Sequence, residues 1–241
     1  VYAASGTPIS TADDLKAMVN DPSGSYYLTQ DITVPADTAL FTWKTPFKGT
    51  LDGNGHALKG YSATKVNNGY CGIILYAYNA TFRDIEIDDV NINVTSSSSY
   101  NIGTLTAYAY GCTFTDVEAS GSIRASGTSE DGITAGGIAG AYCSSMKNCD
   151  SDVDISVSGK ATYGALVAAG LSGSVKDTIS GCENSGDISV SGTAHESMTA
   201  SGITGKVNIA SSCKNSGAVS ISSSSASNIY ENAGAAGIVG E

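Results

Sequence analysis

Positive charge is scarce in this sequence. Of 241 residues only 12 are Lys or Arg, against 23 Asp or Glu, and the formal net charge is −11. A surface that neutralises nucleic-acid phosphates needs clustered Lys and Arg. The few here are scattered, which excludes nucleic acid as the expected partner, and an anionic membrane surface is disfavoured for the same reason. No apolar run approaches the ~20 residues of a membrane-spanning helix, so no membrane insertion is expected. Six Cys occur, at 71, 112, 143, 149, 182 and 213, with no CxxC pair among them, which removes a zinc ribbon. No GxSxG elbow marks a nucleophilic serine, and HESMT (195–199) lacks the second His of HExxH. The expectation is therefore no catalytic set, no metal and no cofactor.

The chain is rich in Gly, Ser and Thr, and its apolar residues are β-branched and regularly placed. GCENSGDISVSG (181–192) has near copies at NCDSDVDISVSG (148–159) and SCKNSGAVSIS (212–222). Aligned on their apolar pairs, Ile92/Val94, Ile123/Ala125, Ile155/Val157, Ile188/Val190 and Val219/Ile221 form one series. Ile85, Val117, Cys149, Cys182 and Cys213 form a second, and Phe82, Phe114, Met146, Ile179 and Ala210 a third. All three share a spacing of 31 to 33 residues, the signature of a repeat architecture. Within each copy the apolar residues alternate, so the elements are short strands separated by Gly, Asn, Asp and Ser turns. No amphipathic helical pattern interrupts 68–241. The expected fold is all-β: a parallel β-helix of about five coils, each stacked about 4.8 Å from the next. One coil cannot bury its Ile and Val alone; stacked coils can.

Cys149, Cys182 and Cys213 read as an inward column of free thiols, because parallel Cβ vectors suit a disulfide poorly. The sequence leaves the state of Cys71, Cys112 and Cys143 open. Asn184 and Asn215 share a column and read as a structural side-chain ladder. STADDLKAMVN (10–20) reads as a short helix, with Ser10 or Thr11 as N-cap, Asp13 and Asp14 in the first turn and Leu15, Met18 and Val19 as its apolar face. With the strands near 26–34 it makes an N-terminal cap over 1–46, and 47–241 is one continuous run of coils. VYAAS at the start fits the tail of a cleaved signal peptide. GIVG (237–240) repeats GIAG (137–140) and GITG (202–205), and Glu241 follows at the start of another unit. The expectation is a fragment of a longer polypeptide, with further repeats or domains C-terminal, or a last coil covered by a partner.

GIAG, GITG and GIVG, each followed by a strand and then by a phrase like NSGDISVSG, resemble GLUG-motif repeats. FKGTLDGNGHALKG (47–60) resembles the segment that opens the first coil in such proteins, and DDLKAMVNDPSGSYYLTQDI (13–32) the lead-in before it. The match is loose at GTLT (103–106) and GALV (164–167). The resemblance implies a right-handed β-helix on a large secreted or wall-attached bacterial protein, hence an extracellular location. Some relatives carry these repeats beside a zinc peptidase domain.

The candidate binding residues are Tyr76 and Tyr108, 32 apart, and Tyr78, Tyr110 and Tyr142, also at intervals of 32. Ala77, Ala109 and Ala141 alternate with them, and small residues inside a narrow turn place the Tyr outside. Such a row suits sugar rings, since Tyr presents an apolar face and a polar hydroxyl; an aromatic ladder that only stabilises stacking fits the same spacing. Asp84 with Asp116, and Asp152 and Asp154 with their neighbours, fit either an acidic pair or Ca²⁺ site or solvated outward positions. His56 reads as a turn residue bonded to the backbone, and His195 as a solvated loop residue. Segments 95–100, 126–132, 158–163, 191–200 and 222–232 read as loops projecting from one side. The expected function is a non-catalytic extracellular module, a stalk or binding surface for a glycan or a protein. The alternative is a carbohydrate-active lyase or hydrolase using acidic residues on the same scaffold.

Overall fold

Ile188 and Val190 are buried while Ser189 and Ser191 between and beyond them face outward, because successive side chains of a strand point to opposite faces. A single such strand buries too little to offset its ordering. The computed structural model describes residues 5–223 and 233–240, and in it each strand is paired in parallel with its counterparts in the neighbouring coils. Ile92, Ile123, Ile155, Ile188 and Val219 form one continuous column. Phe82, Phe114, Met146, Ile179 and Ala210 form another. Leu51 adds a rung below Phe82 and Tyr26 another below Leu51, so the column extends past the five rungs of the repeat. The first addition is the Thr50–Lys59 strand, whose LDGNGH phrase disguises its register.

The parallel β-solenoid has three faces that each coil visits in order. The first holds six strands: Tyr70–Cys71, Tyr100–Gly103, Gly132–Gly136, Ala165–Ala169, Met198–Ser201 and Ala233–Ala236. The second holds three: Ile74–Tyr78, Thr106–Tyr110 and Ala139–Ala141. The third is a long sheet carrying the Ile and Phe columns. A bend within the third face, just beyond its Phe column, falls at Asp84, Asp116, Asn148, Gly181 and Ser212, all with φ between 50° and 63°. Asp, Asn and Gly tolerate that left-handed geometry best, so the Asp84/Asp116 column is a turn requirement. Asn148 Nδ2 donates to Asp116 Oδ1 at 3.1 Å, tying successive bends.

Several expectations are corrected. Segments 126–129, 158–161 and 191–194 are not projecting loops: they continue the ladder through Gly127↔Gly159 and Gly159↔Gly192 to Ser129↔Ala161 and Ala161↔Ala194. The stacked glycines bend the strands while the backbone pairing continues. Most of 222–232 lies outside the described residues, as does nearly all of VYAAS. The repeat of GIAG in the next coil is GLSG (170–173), not GALV: Ala139, Ser172, Thr204 and Val239 stand level. At GTLT the level position is Thr106, paired with Ala139, and Thr104 Oγ1 donates to Gly137 O at 2.6 Å.

The first Gly of GIAG, GLSG and GITG faces an inner polar column, at Ser151, Asn184 and Asn215 respectively. Asn184 Nδ2 donates to Asn215 Oδ1 and to Gly186 O, both at 2.8 Å. A Cβ on Gly170 would lie 2.5 Å from Asn184 Cγ and would overlap Gly202 O. The motif is thus a packing device that leaves room for the ladder and for the coil above. Alongside, Cys149, Cys182 and Cys213 are free thiols in one column, with Cys149 N–H donating to Cys182 Sγ at 3.3 Å. Cys71, Cys112 and Cys143 are also free and buried. Burial pushes each of these three up to about 12, so none is a thiolate at neutral pH.

The helix Ala12–Ala17 caps the first coil through Leu15, followed by buried Met18, while Val19 is exposed rather than part of the apolar face. Thr11 is the N-cap: its side chain accepts from Asp14 N at 3.1 Å, and Asp14 Oδ2 accepts from the Ser10 and Thr11 amides. Those hydrogen bonds, the Ser10 amide first, hold the Asp14 carboxyl below its ordinary range. Thr11→Ala is expected to lower stability by about 1 kcal/mol, read from urea unfolding midpoints.

Candidate ligand-binding face and groove

The second face is narrow, and its inner positions are small. Ala77 and Ala109 are fully buried, and their neighbours point outward. Tyr76 pairs with Tyr108 and Tyr78 with Tyr110. Their rings stack at 4.7 Å and 17°, and at 5.6 Å and 7°. Tyr78 is 41% exposed and Tyr110 45%; Tyr76 and Tyr108 are half-buried.

Tyr142 departs from the expected column. The register here is Tyr108↔Ala141, and it returns to Thr113↔Ser145, so this corner is one residue shorter than the one below. Tyr142 absorbs the difference with φ 66°. Its ring lies over Tyr108 at 4.9 Å instead of continuing the Tyr78–Tyr110 column, and it is 52% exposed. Ala141 accordingly falls level with Tyr108, not with Ala109.

Two further aromatics join this surface. Tyr70, from the neighbouring face, stands edge-on to Tyr76 and Tyr108 at 5.8 and 5.9 Å. Trp43, the single Trp of the chain, is 59% exposed. It sits on a turn closed by Thr45 N–H donating to Thr42 O, between Leu40, which pairs with Ile74, and Phe47, which pairs with Ala77. Seven residue steps oppose three, so the segment bulges from the rung next to Tyr76. Lys44 Nζ lies 5.4 Å from the Trp43 ring. Burial, then the neighbouring phenols, pushes Tyr108 up to about 12, and burial raises Tyr70 and Tyr76 as well. All three stay neutral hydrogen-bond donors at physiological pH.

Tyr108 and Tyr142 also border a groove of about 590 Å³ that runs along the solenoid axis over the first face. Its floor is the outward column Asn101, Thr134, Val167 and Thr199. Asp131 and Glu196 stand on one wall and Ser174 and Lys206 on the other. The last Gly of GLSG and of GITG makes room for it: a Cβ on Gly173 would overlap the Thr134 methyl, and one on Gly205 would lie 3.1 Å from Val167 Cγ1.

The remaining candidates are occupied structurally. Asp152 accepts from Ser185 Oγ at 2.9 Å, Asp154 from Asp187 N at 2.9 Å, and Asp187 from Ala218 N at 2.8 Å, so these carboxylates fasten one coil to the next. His56 Nδ1 lies 3.6 Å from Asp31 Oδ1, a carboxylate partner where the sequence suggested backbone. In the same phrase Asp52 receives Arg83 Nε and Nη2 at 2.8 and 2.7 Å. The His195 ring lies 6.4 Å from that of Tyr163. Among the described residues, no three His, Cys, Asp or Glu are grouped to hold a metal ion.

Fold and surface together define a parallel β-solenoid with an aromatic face beside an axial groove. No family model and no curated protein matches the chain. Among solved structures it is similar to one described as "a putative immunoglobulin A1 protease from Bacteroides ovatus", with a TM-score of 0.55 and 17% identity over 91% of this chain and 70% of that one. At that identity the likeness concerns the solenoid alone.

Proposed function

We propose that this chain is a non-catalytic module of a secreted or surface-attached bacterial protein, built from GLUG-type repeats, that displays its aromatic face to glycans. The observation that carries this reading is the exposure of stacked Tyr78 and Tyr110 beside Tyr142. Aromatic rings dominate cores and interfaces because they bury large areas. Here the inner positions are taken by Ala, and the rings are held in rows at the surface by the rungs beneath them. Contiguous exposed apolar surface marks interaction sites, and phenol hydroxyls around flat ring faces suit the hydroxyl-rimmed apolar face of a sugar. The rungs fix the spacing of the rings, so little ordering is left for binding to supply.

The test is glycan-array retention and calorimetric titration of the purified module. Tyr78→Ser with Tyr110→Ser is expected to weaken retention roughly tenfold, about 1.4 kcal/mol, while the melting temperature stays near that of the parent. Unchanged retention removes the Tyr face as the binding surface.

A further inference from the structure

We infer that the axial groove is a second part of the same binding surface and takes an uncharged linear glycan laid along the solenoid axis. This rests on the glycan-binding reading above and extends it from the Tyr face to a defined ligand class.

The groove floor lies within a parallel ladder. Asn101, Thr134, Val167 and Thr199 pair successively, and Thr199 pairs on to Gly234. An extended peptide binds a sheet by adding to its edge, and the main chain of this floor is already engaged on both sides. Side-chain amide and hydroxyl groups therefore do the recognition, repeated at the rung interval of about 4.8 Å, close to the length of one pyranose. Charge points the same way. Asp131 and Glu196 line one wall against Lys206 on the other, so carboxylates outnumber cations, which disfavours a polyanion, and the floor column itself is neutral. Carboxylates, hydroxyls and an amide placed beside the Tyr108 and Tyr142 rings match the ring hydroxyls and apolar faces of neutral sugars. Tyr108 and Tyr142 border both the groove and the Tyr face, so a chain seated on the rings continues into the groove without leaving the surface.

The experiment titrates the module with neutral β-linked oligosaccharides of glucose, xylose, mannose and N-acetylglucosamine, from disaccharide to hexasaccharide, with polygalacturonate and poly-lysine as charged probes. Val167→Arg fills the groove from its floor, and Glu196→Ala, on the exposed wall, removes an acceptor with little risk to folding. Affinity of the parent is expected to rise with chain length. Val167→Arg is expected to abolish that rise while sparing disaccharide binding, and Glu196→Ala to weaken only the longer chains. If both variants bind every length like the parent while the Tyr78→Ser, Tyr110→Ser variant fails, the groove inference falls and the Tyr face stands. If only a charged probe binds and Val167→Arg blocks it, the ligand class is wrong. If no oligosaccharide binds the parent, this inference and the proposed function fall together.

Discussion

Ile155→Asp is expected to abolish cooperative folding of this chain. Ile155 is 1% exposed and is sandwiched between Ile123 and Ile188 in the central ladder. Losing its burial costs roughly 1.5–3 kcal/mol. A carboxylate there has no cation to pair with, because the column above and below is Ile and Val. It must either remain ionised in an apolar tube or take up a proton, and each route adds several kcal/mol. The total is a large part of the ~5–15 kcal/mol that holds a domain together. In a stacked repeat the damage spreads, since each coil draws its stability from its neighbours. The expected observation is loss of a cooperative calorimetric transition. Ser156→Asp is the matched control: Ser156 points outward opposite Arg124, and an added carboxylate there is expected to move the transition little. A parent-like melt for Ile155→Asp would mean that this residue does not face the interior.

The Ile155 column was legible in the sequence because repetition supplies the register. One period applied to three sets of apolar positions assigns both which residue lies over which and which way each points. The same arithmetic failed at Tyr142. A constant interval of 32 cannot detect a corner shortened by one residue, and the shortening is what moves the Tyr142 ring from Tyr110 to Tyr108. Trp43 was missed for a related reason: it stands in a bulge inserted into a rung, and the columns start beyond it. Segments 126–129 and 158–161 were misread because Gly and Ser are turn formers locally, while neighbouring coils paired their backbones regardless; tertiary context overrides β-propensity. The groove was not legible at all. It draws lining residues from several coils, and its depth depends on glycines whose role is to contribute no side chain.

Gly170→Ala is expected to destabilise the chain by about 3 kcal/mol, at the upper end of what overpacking costs, and to lower the melting temperature by about 10 °C for a domain of this size. A methyl group there would overlap Gly202 O in the next coil and press on Asn184 Cγ. Neither neighbour yields readily: the carbonyl belongs to the ladder backbone, and the Asn184 amide is held by Gly186 O and Asn215. Gly237→Ala makes the same change at the same place in the repeat. There a Cβ would meet nothing within 4 Å among the described residues, so its melting temperature is expected to match the parent's. The contrast separates two explanations of the repeated glycine. If a glycine is required for backbone conformation, both substitutions cost alike. If it is required because a neighbouring coil and an inner Asn come too close for any side chain, only Gly170→Ala costs. Thermal melts of the two single variants, measured side by side, decide between them, and equal losses would remove the packing account of the motif.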